Sequence, residues 1–224
     1  MIAGVPTPTA HRILATLQMH GFVDLDEVRQ EYSVGLEAFC VSSIFLKNKG
    51  LNEIGLMAMR KLVEATDETA NLAIPDGHQV VFVGQIETGN PIRAFFPPGT
   101  RTPMHASGTG KAILAALPRE VVVQLLQQVG LPGFTDHTHV TTDALFADLD
   151  TTRERGWSFD CEERFIGMSC VGSAIYDETG QPVAGVSISG PSNRFNPSHI
   201  AKFGATVKTT AEEITQLSGG ELPR

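Results

Sequence analysis

The sequence predicts an α+β fold in which helices pack on an antiparallel sheet, and two patterns carry that expectation. Apolar residues recur at helical spacing in several separate stretches. Between them lie short β-branched or aromatic runs punctuated by turn sequences such as Pro75-Asp76-Gly77 and Gly89-Asn90-Pro91. A chain of 224 residues, 42% hydrophobic and 19% charged, is long enough to bury a core and too apolar to remain disordered.

Residues 1–35 begin with a helix start. Thr7 suits the N-cap and Pro8 the first helical position, where a missing N–H costs nothing. Ile13, Leu14 and Leu17 form a short apolar stripe, and Gly21 stops the helix. Phe22-Val23 and Tyr32-Ser33-Val34 are strand-like and flank the charged run from Asp24 to Glu31, which predicts a small hairpin. Residues 36–66 read as two helices. Leu36, Phe39, Cys40 and Leu46 share one face of the first, which ends near Lys47-Asn48-Lys49-Gly50. Leu51, Ile54, Ala58, Leu62 and Ala65 mark the second. A pair this apolar needs a partner surface, from the main domain or from another subunit. The expected assembly is a homodimer or tetramer.

The body continues with strands at 69–74, 79–87 and 92–96, then helices at about 109–117, 119–129 and 143–155, the last ended by Gly156. Strands return at 157–161, 170–177 and 182–189, the final two joined by Asp177-Glu178-Thr179-Gly180-Gln181. The last helix takes Asn196 as cap and Pro197 as first residue, and runs through Ile200, Phe203, Val207, Ile214 and Leu217.

Composition excludes several functions. No stretch approaches the roughly 18 uncharged apolar residues of a membrane helix. The N-terminus lacks the charged and apolar regions of a signal peptide. Cys40, Cys161 and Cys170 are odd in number and suggest no disulfide framework, which fits a reducing cytosol. A net charge of −8 argues against coating nucleic acid through bulk positive charge, though not against a small DNA-reading module on an acidic body.

Four groups of residues could carry chemistry. Ser107-Gly108-Thr109-Gly110-Lys111-Ala112 is a glycine-rich turn into a helix, which aims backbone N–H groups at one point. It is either an ordinary turn or a small-anion site; Ala112 replaces the hydroxyl a nucleotide loop needs. Asp160 and Cys170 raise acid–base or nucleophilic chemistry, but no signature supplies a base, and a buried core Cys170 is the simpler reading. The cysteines are not at zinc-finger spacing, so no metal and no cofactor is expected. Ser187 and Ser189 lie on one face of a strand, either toward solvent or lining a polar pocket. Thr9, His11 and Arg12 on the first helix are residue types that reach phosphates and base edges.

These segments, in order, resemble the IclR-type transcriptional regulators. The resemblance rests on Thr9-Ala10-His11-Arg12-Ile13-Leu14, Gly21-Phe22-Val23, Tyr32-Ser33-Val34-Gly35, Met104-His105-Ala106-Ser107-Gly108-Thr109-Gly110-Lys111-Ala112, Arg155-Gly156-Trp157-Ser158-Phe159-Asp160 and Ser187-Ile188-Ser189-Gly190-Pro191. It covers practically the whole chain and is strongest toward members sensing glyoxylate or related 2-oxo acids. It implies a partial winged helix–turn–helix (recognition helix and wing) over 1–35, linker and dimerisation helices over 36–66, and a GAF-like effector domain over 67–224. Effector contacts are implied at Gly108, Thr109, Asp160, Cys170, Ser187 and Ser189, and operator contacts at Thr9, His11 and Arg12. Family members carry two helices ahead of the recognition helix, so the chain reads as truncated within the winged helix. Residues 1–35 hold Arg12 and Arg29 against Asp24, Asp26, Glu27 and Glu31, and weak operator binding by this polypeptide is expected. A DNA-silent sensor and a small-molecule enzyme using Cys170 are the alternatives.

Overall fold

A computed structural model of the chain describes residues 4–41 and 52–223. The chain divides into two compact units, Met1–Asn52 and Glu53–Arg224. The expected end of the first linker helix, Leu46 on its apolar face, and Leu51 lie outside the described residues.

The first unit holds helix α1 (Thr7–Met19) and the antiparallel hairpin β1 (Val23–Asp26) and β2 (Glu31–Val34), with Val23 opposite Val34. Helix α1 starts one residue earlier than expected. Pro6 occupies the N-cap and no side chain caps the helix, so Thr7 is the first helical residue rather than the cap. The hairpin turn is held by Asp26, whose Oδ1 accepts from the N–H groups of Val28 (2.9 Å) and Arg29 (3.0 Å). Residues 36–41 are helical. Gly35 is the only buried residue among those described in this unit, because a Cβ there would stand 2.3 Å from the Gly21 carbonyl oxygen.

The second unit begins with helix α2 (Asn52–Thr66). Its buried stripe is Gly55, Ala58, Met59, Leu62 and Thr66, while Ala65 faces solvent. Six strands follow in the order β5-β4-β3-β8-β7-β6, every pairing antiparallel: β3 (Thr69–Asp76), β4 (Gln79–Ile86), β5 (Arg101–Pro103), β6 (Ser158–Cys161), β7 (Met168–Tyr176) and β8 (Pro182–Pro191). Residues 92–96 do not form the expected strand. Pro91, Pro97 and Pro98 lack the N–H a ladder requires, and the edge position goes to β5.

Helices α3 (Gly108–Ala116), α4 (Arg119–Val129) and α5 (Thr142–Arg155) lie between the two halves of the sheet in sequence, and α6 (Pro197–Leu217) closes the chain. Gly156 ends α5 at φ +82°, and Asn196 Oδ1 caps α6 through the N–H groups of Ser198 and His199. Every residue of β7 from Ser169 to Ile175 is buried, which requires cover on both faces; α3 and α6 both pack on this strand. The core brings Val80 and Phe82 of β4 against Ile113 and Leu114 of α3, Leu126 of α4 and Leu145, Phe146 and Leu149 of α5. No helix among the described residues is long and apolar enough to cross a membrane.

Candidate functional site

Strand register assembles the site. Asp160 of β6 stands opposite Cys170 of β7, Cys170 opposite Ser189 of β8, and Ser189 opposite Thr69 of β3. Opposed residues in an antiparallel pair share a face, so these four side chains form one row across the sheet. Two residues along, Ser158, Gly172, Ser187 and Asn71 form a parallel row. Asn71 joins the two rows, its Nδ2 donating to Ser189 Oγ at 3.4 Å while its Oδ1 accepts from Gln85 at 2.9 Å.

The start of α3 sits on these rows because glycine removes what would block it. A Cβ on Gly108 would lie 2.6 Å from Cys170 Sγ, and one on Gly172 2.7 Å from the Gly108 carbonyl carbon. Ser158 Oγ donates to the Gly108 carbonyl at 2.5 Å, and Ser107 Oγ accepts from Gly110 N–H at 3.0 Å as the N-cap. The N–H groups of Gly108 and Thr109 thus lie at the positive end of the helix dipole, over the Asp160–Cys170–Ser189 row.

A cavity opens there, walled by Gly108, Thr109, Asp160, Cys170 and Ser189 together with Phe82, Phe96, Arg164, Phe165 and Met168. Its volume is about 20 Å³, room for roughly one water. Phe82 stacks on Phe96 at 5.1 Å, and Phe96 leans on Phe165 at 6.3 Å, so the aromatic side is a chain of three rings. Thr109 Oγ1 is buried without a hydrogen-bond partner, and Ser187 Oγ has none beyond the Cys170 thiol.

Electrostatics set the acid apart. Burial, with Glu163 beside it, pushes the Asp160 carboxyl up to about 7, although Lys111 and the N–H of Glu163 (2.8 Å to Oδ1) work against the shift. Burial likewise pushes the Cys170 thiol up to about 11, against contacts from Ser189 and Ser187. Lys111, itself wholly buried, turns away into a cluster with buried Glu163 and half-buried Asp148. Its Nζ lies 2.5 Å from Glu163 Oε1, 2.9 Å from Asp148 Oδ2 and 2.6 Å from the Phe159 carbonyl oxygen. Burial lowers its pKa, but the two carboxylates outweigh that and the net shift is upward.

Five of the six residues singled out for the effector line this one cavity, and Ser187 lies beneath it, in the second row. Both serines are buried, which removes the solvent-facing alternative. Thr9, His11 and Arg12 stand on α1 in the other unit, His11 and Arg12 exposed and Thr9 partly so. Sequence reasoning missed the aromatic wall and Arg164. The run Arg164-Phe165-Ile166-Gly167 was the available signal, since it places large side chains in the loop between two site strands. Arg164 is held by stacking, 3.8 Å above the ring of Phe134.

Comparison with known proteins agrees with this architecture. Residues 44–216 match the family described as "Bacterial transcriptional regulator IclR C-terminal", and residues 2–27 match the "IclR helix-turn-helix domain". The chain is 43% identical over 220 residues to the acetate operon repressor of Salmonella typhimurium, covering 97% of this chain and 80% of that protein. It is 40% identical to the transcriptional repressor IclR of Escherichia coli, with the same coverage. The crystal structure of the Thermotoga maritima IclR superimposes with a TM-score of 0.81 at 30% identity, over 96% of this chain and 87% of that one. The chain belongs to the IclR family of transcriptional regulators. It is a DNA-binding regulator rather than an enzyme, and the reading of Cys170 as a catalytic nucleophile is set aside.

Proposed function

We propose that this regulator senses a small 2-oxo acid such as glyoxylate in the cavity at the start of α3. The observation that carries the reading is Thr109 Oγ1, a buried hydroxyl on the cavity wall with no partner. A buried polar atom left unpaired costs about 1–3 kcal/mol, and a ligand that satisfies it recovers that energy. The N–H groups of Gly108 and Thr109 suit the effector carboxylate, and Ser189 can donate to the oxo or hydrated carbonyl. Cys170 forms a polarisable floor, and Ser187 supports it from the second row. Glyoxylate is larger than the cavity as it stands, so its entry displaces the aromatic wall, where Phe165 is 46% exposed.

Asp160 gives the effector a pH signature. Protonated, it donates to an anion; ionised, it repels one. Affinity for glyoxylate therefore strengthens as pH falls through about 7. The test is calorimetry and thermal melting with glyoxylate, pyruvate and glycolate. A saturable heat and a rising melting temperature are expected, and Ser189→Ala weakens binding by about 1–2 kcal/mol. No heat and no melting shift at millimolar concentrations of all three would overturn the reading.

Operator contacts fall to Thr9, His11 and Arg12, displayed on α1. The 36–66 segment serves as linker and dimerisation region between the winged helix and the 67–224 effector domain. What supports this is the exposed apolar series Leu36, Phe39 and Val41. Light scattering should report a dimer or tetramer that Phe39→Asp weakens; a 24.1 kDa monomer at micromolar concentration would contradict it.

A further inference from the structure

A second cavity, of about 240 Å³, lies beside the first in sequence and is unlike it in chemistry. It is formed by the turn entering α3, by α3 and α4, and by the residues after α4: Met104, His105, Leu114, Leu126, Val129 and Pro132. Met104 and Leu114 are core side chains, each 2% exposed. No Lys, Arg, Asp or Glu is among its lining residues, whereas the effector cavity carries both Asp160 and Arg164.

Size and polarity define what fits. An apolar cavity of about 150 Å³ is large enough to take up benzene in a protein engineered to contain one. The polar side chains of the lining are His78, which is exposed, Gln79, which is half-buried, and His105, which is buried. His105 Nε2 stands 3.0 Å from the Pro132 carbonyl oxygen, which can only accept, so Nε2 carries the proton and Nδ1 is left as the acceptor. Burial, assisted by Arg164 and neighbouring histidines, holds this imidazole below its ordinary pKa and therefore neutral. An anion finds no compensating cation here; a ring with one hydroxyl finds apolar walls and an acceptor.

We propose that this cavity is a second small-molecule site, distinct from the effector cavity, which takes an uncharged ring-sized apolar molecule bearing one hydrogen-bond donor, of the phenol class. The two sites share a segment. Pro103, Met104 and His105 line the one, and the next three residues, Ala106, Ser107 and Gly108, line the other.

The test is methyl-resolved NMR of the full chain titrated with phenol. Saturable shifts are expected at Met104, Leu114, Leu126 and Val129, with Met168 of the effector cavity unmoved and with glyoxylate not competing. Benzoate, the same ring with a charge, should bind at least tenfold more weakly. Val129→Trp fills the mouth and should weaken phenol at least tenfold; Gln79→Trp, on the lining at another point, repeats the test should the first variant fail to fold. His105→Phe keeps an aromatic ring but removes the nitrogen acceptor, and should weaken phenol severalfold more than it weakens benzene. Absence of saturable shifts at millimolar phenol, shifts centred on Met168, or full affinity in both tryptophan variants would overturn the proposal. So would shifts that follow protein rather than phenol concentration, which would make this face a contact between copies of the chain.

Discussion

Helices α1 and α3 are both short and both read here as recognition elements, yet they are built in opposite ways. Helix α1 buries none of its thirteen residues, while α3 buries eight of its nine. On α1 the functional side chains are displayed, and the helix is a platform for whatever approaches it. On α3 the proposed recognition falls to the backbone at the helix start, where Gly108 and Thr109 line the cavity, and the buried side chains beyond them anchor the helix. A surface that reads a large external partner tolerates exposure; a site for a small anion must be dry, because donors gain strength when water is excluded. That dryness explains Lys111. The lysine of the glycine-rich turn is turned toward Glu163 and Asp148 and away from the cavity.

The contrast predicts large effects on one helix and small ones on the other. Lys111→Met leaves buried Glu163 and half-buried Asp148 without this cation and should cost about 3–5 kcal/mol, measured by urea denaturation at neutral pH. The loss should shrink at pH 5, where the orphaned Glu163, whose pKa burial already raises, takes up a proton. Loss below about 1 kcal/mol would mean the cluster is solvated and α3 is not the rigid element described.

Asp160→Asn keeps the acceptor for Glu163 N–H and removes the buried charge. Because the folded-state pKa of Asp160 is raised, its contribution to stability is full below its unfolded value near 4 and is lost as pH rises through about 7. The variant should therefore gain on the order of 4 kcal/mol over the parent at pH 8, and less than half of that at pH 5. A pH-independent difference would show that Asp160 titrates normally. At the small end, Arg12→Ala on exposed α1 should change stability by less than about 0.5 kcal/mol. Its effect belongs to DNA, where loss of a base contact costs roughly 1–3 kcal/mol in a gel-shift titration. A melting change as large as that of Lys111→Met would erase the distinction between the helices.

The same contrast decides what could be read in advance. Local signals placed the elements well: Asn196-Pro197 starts α6, Gly156 ends α5, and Ser187 and Ser189 fall on one strand face because side chains alternate. Register is not local. Nothing in the order of residues states that Asp160, Cys170 and Ser189 stand abreast, and the family resemblance rather than periodicity grouped them. The strand expected at 92–96 failed because aromatic content outweighed the prolines that deny it a ladder. Thr7 misled because a side chain able to cap also serves as an ordinary first-turn residue when Pro6 takes the cap position. The wholly buried lysine was invisible, since only tertiary packing shows where its ammonium goes.

One further feature of the second unit has a mechanical side. Glu68, 1% exposed at the exit of α2, holds Arg194, just past the end of β8, in a two-pronged ion pair, and its carboxylate fills the space beside Gly190. Strand β3 then begins, and its first residue, Thr69, is registered against Ser189. Helix α2 is therefore fastened at one end to the strand that carries Ser189. Its fifteen residues make an arm about 22 Å long. The helix is bedded on the sheet along this length, since a Cβ on Gly55 would stand 3.0 Å from Leu72 and one on Gly84 3.1 Å from Met59, so the Glu68–Arg194 pair pins one end of a helix that β3 and β4 already hold.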